Sequence, residues 1–86
     1  MTDVEHICRV CGYDYGGYSI REDGAGNHDI CDCCGVTFGY EDNLLEGVRD
    51  FRAHWVGTDF AWADASIKPR GWDVNEQMRN IPSRWC

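Results

Sequence analysis

A Cys-x-x-Cys-Gly string occurs twice in this chain, as Cys8-Arg9-Val10-Cys11-Gly12 and as Cys31-Asp32-Cys33-Cys34-Gly35, with nineteen residues between Cys11 and Cys31. That interval falls within the spacing of four-cysteine zinc sites. Each string can wrap a tight turn around a metal, and the glycine after the second cysteine lets the backbone take positive φ there. Two such knuckles facing one another offer four sulfurs in a tetrahedron, the closed shell of a structural Zn²⁺ site. Cys8, Cys11, Cys31 and Cys34 are therefore the expected ligands, holding one Zn²⁺ per chain.

With 86 residues the chain reads as a single domain spanning 1–86. At that size a hydrophobic core alone gives thin stability, so a metal would matter to folding. The opening Met1-Thr2-Asp3-Val4-Glu5 has neither the basic start nor the apolar run of a secretory signal. No apolar stretch approaches the length of a membrane span. The expected location is cytoplasmic, where paired Cys-x-x-Cys means metal or redox chemistry rather than the alternative of a six-cysteine disulfide scaffold.

The net charge of −7 is unevenly placed: residues 1–43 carry nine acids against two arginines, and residues 44–86 carry six acids against six bases. A zinc tetrathiolate would add about two further negative charges to the front half. Nucleic-acid binding needs a basic footprint, and this half would repel phosphate.

Residues 1–43 read as a ribbon of short antiparallel strands. Val4–Cys8 leads into the first knuckle, Glu22-Asp23-Gly24-Ala25-Gly26-Asn27 is a turn, His28-Asp29-Ile30 returns into the second knuckle, and Val36–Tyr40 leaves it as a strand. Residues 44–86 read as a helical, Trp-rich extension packed on that ribbon. Leu44, Leu45, Val48, Phe51 and Trp55 share one helical stripe with Glu46, Arg49, Asp50 and Arg52 off it; Asp42 or Asn43 is the expected N-cap and Gly57 the stop. Asp73-Val74-Asn75-Glu76 resembles a capping box opening a second short helix that ends before Pro82. All four tryptophans lie in this half: Trp55, Trp62 and Trp72 are expected to pack against the ribbon, and Trp85 to be the exposed one.

The string Ile30-Cys31-Asp32-Cys33-Cys34-Gly35-Val36-Thr37-Phe38-Gly39-Tyr40-Glu41-Asp42, preceded by Cys8-Arg9-Val10-Cys11-Gly12-Tyr13, resembles a family of small bacterial cysteine-rich proteins of the CPCC type. Arg52, Trp55, Gly57, Trp62, Pro69 and Trp72-Asp73 match that family's Trp-rich tail, so the resemblance covers nearly the whole chain. The proline usual after the first cysteine of each knuckle is replaced by Arg9 and Asp32, which loosens the turns without touching ligation. The family implies a zinc ribbon and brings no particular activity with it. A more local similarity joins both knuckles to those of rubredoxins, which hold iron and pass single electrons; here the segment between the knuckles is shorter and fifty-two residues follow Cys34. Iron is therefore the alternative metal, because Fe(Cys)₄ and Zn(Cys)₄ use the same ligands and geometry.

Cys33 cannot join Cys31 and Cys34 without breaking the i, i+3 turn, and its acidic surroundings favour a neutral, packed thiol. Cys86 is expected to be a mobile, exposed thiol. His28, three residues before Cys31, is a surface residue rather than a replacement ligand, and His6 and His54 have no catalytic partner nearby in sequence. Four cysteines close the metal shell, and hydrolytic zinc needs an open position, so no enzyme is expected. Three functions stay open: a non-enzymatic zinc module that binds a basic protein partner, of the adaptor or immunity type; a rubredoxin-like electron carrier; and a nucleic-acid-associated regulator using Arg49, Arg52, Lys68, Arg70, Arg79 and Arg84.

Overall fold

The computed structural model describes residues 4–86, so Met1, Thr2 and Asp3, part of the stretch read for a secretory signal, lie outside the described residues. The front half is built by repetition of one hydrogen-bonded turn. In the first copy the Cys8 N–H donates to the Tyr13 carbonyl (2.9 Å), the Gly12 N–H to the Cys8 carbonyl (2.9 Å) and the Tyr15 N–H to the His6 carbonyl (2.7 Å). In the second, Cys31 donates to Val36 (2.8 Å), Gly35 to Cys31 (2.9 Å) and Phe38 to Asp29 (2.9 Å), each partner twenty-three residues after its counterpart. Gly12 and Gly35 take φ of +81° and +85°, the left-handed conformation that lets each knuckle close.

Because these turns use the local backbone donors, the strands are shorter than their sequence suggests. Three remain as an antiparallel sheet in the order β1-β2-β3: β1 (Val4–Glu5), β2 (Arg21–Glu22) and β3 (Ala25–Gly26). Val4 faces Glu22 across β1 and β2, and Glu22 faces Ala25 across β2 and β3. Asp23 (φ 50°) and Gly24 (φ 84°) form the two-residue turn between β2 and β3, the pairing a tight hairpin prefers. The expected strands at Val4–Cys8 and Val36–Tyr40 shrink, beyond β1, to single bridges, Ile7 to Asp14 and Ile30 to Thr37. Gly26 and Gly39 let β3 lie against the second knuckle: a Cβ on Gly26 would collide with the Gly39 nitrogen and the Phe38 carbonyl carbon.

Helix α1 (Leu45–Gly57) starts without a side-chain cap, its N-cap being Leu44. Asp42 is instead buried. Its Oδ1 accepts from Arg21 Nη2 at 2.6 Å and from the Gly39 N–H at 2.8 Å, which ties β2 to the approach of α1. Asn43 accepts from the same guanidinium at 3.0 Å and donates to the Gly39 carbonyl at 2.8 Å. These two residues serve the ribbon–helix junction, not the helix end.

Val48 and Trp55 of α1 are buried, Leu45 and Phe51 partly so, while Leu44 is 71% exposed and drops out of the expected stripe. Past the helix, Asp59 and Phe60 take φ near +60°, a costly conformation for bulky residues, and the turn sets Phe60 edge-on to Trp55 at 5.1 Å. Trp62 meets Trp72 at 5.3 Å and Tyr13 at 5.6 Å, joining the extension to the first knuckle. Helix α2 (Val74–Met78) is capped as its sequence suggests, with Asp73 accepting from the Asn75 and Glu76 N–H groups. A 3₁₀ turn at Ser83–Trp85 then returns the chain to the ribbon. Trp85 is partly buried there, with the Arg9 guanidinium 3.7 Å from its ring centroid, contrary to the exposed position expected for it. Among the described residues, no helix is long and apolar enough to cross a membrane.

Candidate metal centre

Cys8, Cys11, Cys31 and Cys34 converge, with their sulfurs all within 4.8 Å of one another and all four side chains buried. The Cys8–Cys34 and Cys11–Cys31 sulfur pairs stand 3.8 and 3.7 Å apart. A tetrahedron with metal–sulfur bonds of about 2.3 Å has sulfur–sulfur edges of about 3.8 Å. Both pairs take one sulfur from each knuckle, so a metal held there would crosslink the two turns.

Three of the four thiols are displaced from the ordinary range, in opposite directions. Burial pushes the Cys11 and Cys34 thiols well up, while hydrogen bonds from Cys11, Cys34 and Cys8 hold Cys31 far below the ordinary thiol range. Packed together with protons alone, Cys11, Cys31 and Cys34 share charge unevenly. A dication removes the conflict by taking all four as thiolates, and proton release on metal binding is the general consequence. The donor set and its edge lengths therefore fit a divalent metal; zinc and iron fit equally by distance.

The remaining candidates lie apart. His28 is exposed in a left-handed turn (φ 65°) and is not one of the four. His6 is exposed and hydrogen-bonded to Asp14 at 2.9 Å. Cys33 is fully buried at the position equivalent to Val10, which is also fully buried, and its sulfur accepts from Gln77 Nε2 at 3.4 Å. Hydrogen bonds from Cys11 and Gln77 lower its thiol, opposite to the direction its acidic neighbours suggest. Cys86 is exposed, yet its backbone oxygen accepts from Arg49 (3.1 Å) and Arg52 (3.3 Å), so the residue is tied down rather than loose.

The extension covers both knuckle tips, by different means. On the second knuckle, the Ala63 and Asp64 N–H groups donate to the Cys33 and Asp32 carbonyls at 2.9 and 2.8 Å. On the first, the equivalent Val10 and Arg9 carbonyls accept from one guanidinium, that of Arg52, at 2.7 and 2.8 Å. The same group reaches the Trp85 carbonyl at 2.7 Å. Gln77 and Asn80 bond the next two carbonyls, of Cys11 (3.0 Å) and Gly12 (3.1 Å). Arg52 was read as lying off the apolar stripe; its place four residues after Val48 and three before Trp55 is the sequence signal that it faces inward.

Arg52→Ala would leave the Arg9 and Val10 carbonyls without that donor, and is expected to destabilise the chain by about 3 kcal/mol. Arg52→Lys should recover only part, because an ammonium lacks the planar fork that reaches four backbone oxygens. Urea unfolding of the metal-loaded variants measures both, and equal stability of wild type and Arg52→Lys would contradict the fork's role.

Compared with protein-family models, curated proteins and solved structures, the chain matches none.

Proposed function

We propose that this chain is a non-enzymatic zinc ribbon of the CPCC type, in which one structural Zn²⁺ on Cys8, Cys11, Cys31 and Cys34 fixes the fold and the surface binds a basic protein partner. The observation that carries the metal reading is the convergence of four buried cysteine sulfurs within 4.8 Å. Four protein thiolates complete a tetrahedral shell and leave no position at which zinc would activate water. A net charge of −7, concentrated in the first 43 residues, favours a basic partner by long-range attraction.

The nucleic-acid reading loses two of its six bases, because Arg49 and Arg52 are engaged with backbone oxygens of the chain itself. Lys68 lies over Trp72, 5.3 Å from the ring centroid. The repeated knuckle, with its exact correspondence of hydrogen bonds, keeps rubredoxin-like iron as the second reading.

Elemental mass spectrometry with a visible spectrum of the same sample tests both. One zinc per chain without colour is the expected result; one iron per chain with a reducible red chromophore would replace the zinc reading by electron transfer. Cys33→Ser is expected to keep full metal content, whereas Cys31→Ser is expected to lose it. Loss of metal in Cys33→Ser would overturn the assignment of ligands. Failure to capture any basic protein, with the zinc-loaded chain monomeric in lysate, would count against the partner reading.

A further inference from the structure

Beside the second knuckle lies a groove of about 320 Å³, lined by Tyr15, Tyr18, Asp29, Ile30, Asp32 and Phe38. Its walls are aromatic: the Tyr15 ring stands 5.8 Å from Phe38 at 89° and 6.2 Å from Tyr18 at 47°. Two carboxylates are fixed against these rings. The Tyr18 hydroxyl donates to Asp29 at 2.7 Å, with Asn27 Nδ2 adding a bond at 3.2 Å. The Tyr15 oxygen accepts from the Asp32 N–H at 3.0 Å and its hydroxyl donates to the Asp32 carboxylate at 3.4 Å. A carboxylate that accepts one or two hydrogen bonds keeps lone pairs for more.

Among the described residues, ion pairs and cation–π contacts fall elsewhere, on Asp14, Glu5, Asp42, Trp72 and Trp85. The groove thus combines aromatic faces, which attract cations, with fixed negative charge. An anion would be repelled by Asp29 and Asp32. Ile30, 61% exposed, offers apolar surface at the same place for the methylene stem of a long side chain.

We propose that this groove receives an arginine side chain of the partner. Arginine suits it better than lysine, because a planar guanidinium stacks on a tyrosine ring while donating paired hydrogen bonds to a carboxylate. The inference rests on the basic-partner reading and adds where that partner docks and through which side chain.

The probe is a capped pentapeptide with one arginine among glycines, titrated into the zinc-loaded full chain and followed by amide chemical shifts. Its citrulline counterpart has nearly the same shape without the charge. Shifts are expected at Tyr18, Asp29 and Ile30 with arginine, and binding about tenfold weaker with citrulline. Tyr18→Ala combined with Asp29→Asn is expected to weaken arginine binding about tenfold. Tyr18 is more than half exposed, and retained zinc stoichiometry verifies that the variant folds. Asp50→Asn, which removes the same charge from α1, is expected to leave binding unchanged. Equal binding of citrulline, shifts clustered on another face, or an equal loss in Asp50→Asn would overturn the groove assignment; arginine bound at another face would still leave the basic-partner reading standing. Absence of any response, to the pentapeptide and to polyarginine at low salt, would remove both.

Discussion

Stripping the metal with a strong chelator is expected to unfold the chain, not merely loosen it. At roughly 0.05–0.15 kcal/mol per residue, 86 residues give a total stability of about 4–13 kcal/mol. Structural zinc supplies about 10–16 kcal/mol of apparent binding free energy in small zinc peptides at neutral pH. A metal term of that size would be comparable to the whole stability of the fold. The core explains why: Cys8, Cys11, Cys31, Cys33 and Cys34 are five of the thirteen buried apolar side chains among the described residues. Without a cation, four of them place their sulfurs within 4.8 Å of one another at the centre with nothing to bind. Near-ultraviolet circular dichroism should collapse on chelation and return on adding zinc. Acid should act in the same direction, since protons compete for thiolates: metal-coupled stability is present at neutral pH and lost as pH falls. A chelated chain with an intact cooperative thermal transition would show that the metal is bound to a fold already complete without it.

Arg21→Ala is expected to be the most damaging substitution away from the cysteines, costing about 3–5 kcal/mol. Arg21 and Asp42 are 2% and 1% exposed at their side chains, and their contact is 2.6 Å. Removing the guanidinium leaves the Asp42 carboxylate buried with the Gly39 N–H, and also frees the Gly24 carbonyl that Arg21 satisfies at 2.6 Å. Arg9 provides the contrast. It holds Glu5 through two bonds at 2.6 and 2.8 Å, with the Glu5 side chain 14% exposed against 1% for Asp42. Burial raises the Glu5 carboxyl, but the hydrogen bond and charge of Arg9 outweigh it and leave it below the usual value. Chemical denaturation of zinc-loaded Arg21→Ala measures the effect. A loss under about 1 kcal/mol would place the pair with ordinary surface ion pairs.

The four clustered cysteines were legible because their signal is local: spacing within each knuckle and the interval between them limit how the turns can meet. The cap of α2 was legible for the same reason, Asp73 acting on donors two and three residues ahead. Asp42 was misread because its partner, Arg21, is twenty-one residues away, and a local capping rule assigns an acid before a helix to that helix. Arg52 was misread because helical periodicity sorts residues by polarity, and a half-buried guanidinium that satisfies carbonyls looks like a surface charge. Strand length failed where knuckle turns, rather than ladders, use the backbone donors. Trp85 was placed outside because nothing in its neighbourhood in sequence announces Arg9, seventy-six residues earlier.

The two knuckle tips also differ in how much they ask of heredity. At the second, the donors at positions 63 and 64 are main-chain N–H groups, which nineteen of the twenty residue types possess. That cap survives almost any codon change short of proline. At the first, the donors belong to one guanidinium at position 52, which a single codon change can erase. Two halves with the same backbone pattern thus carry unequal mutational loads. Random drift would be absorbed at one end of the centre and purged at the other.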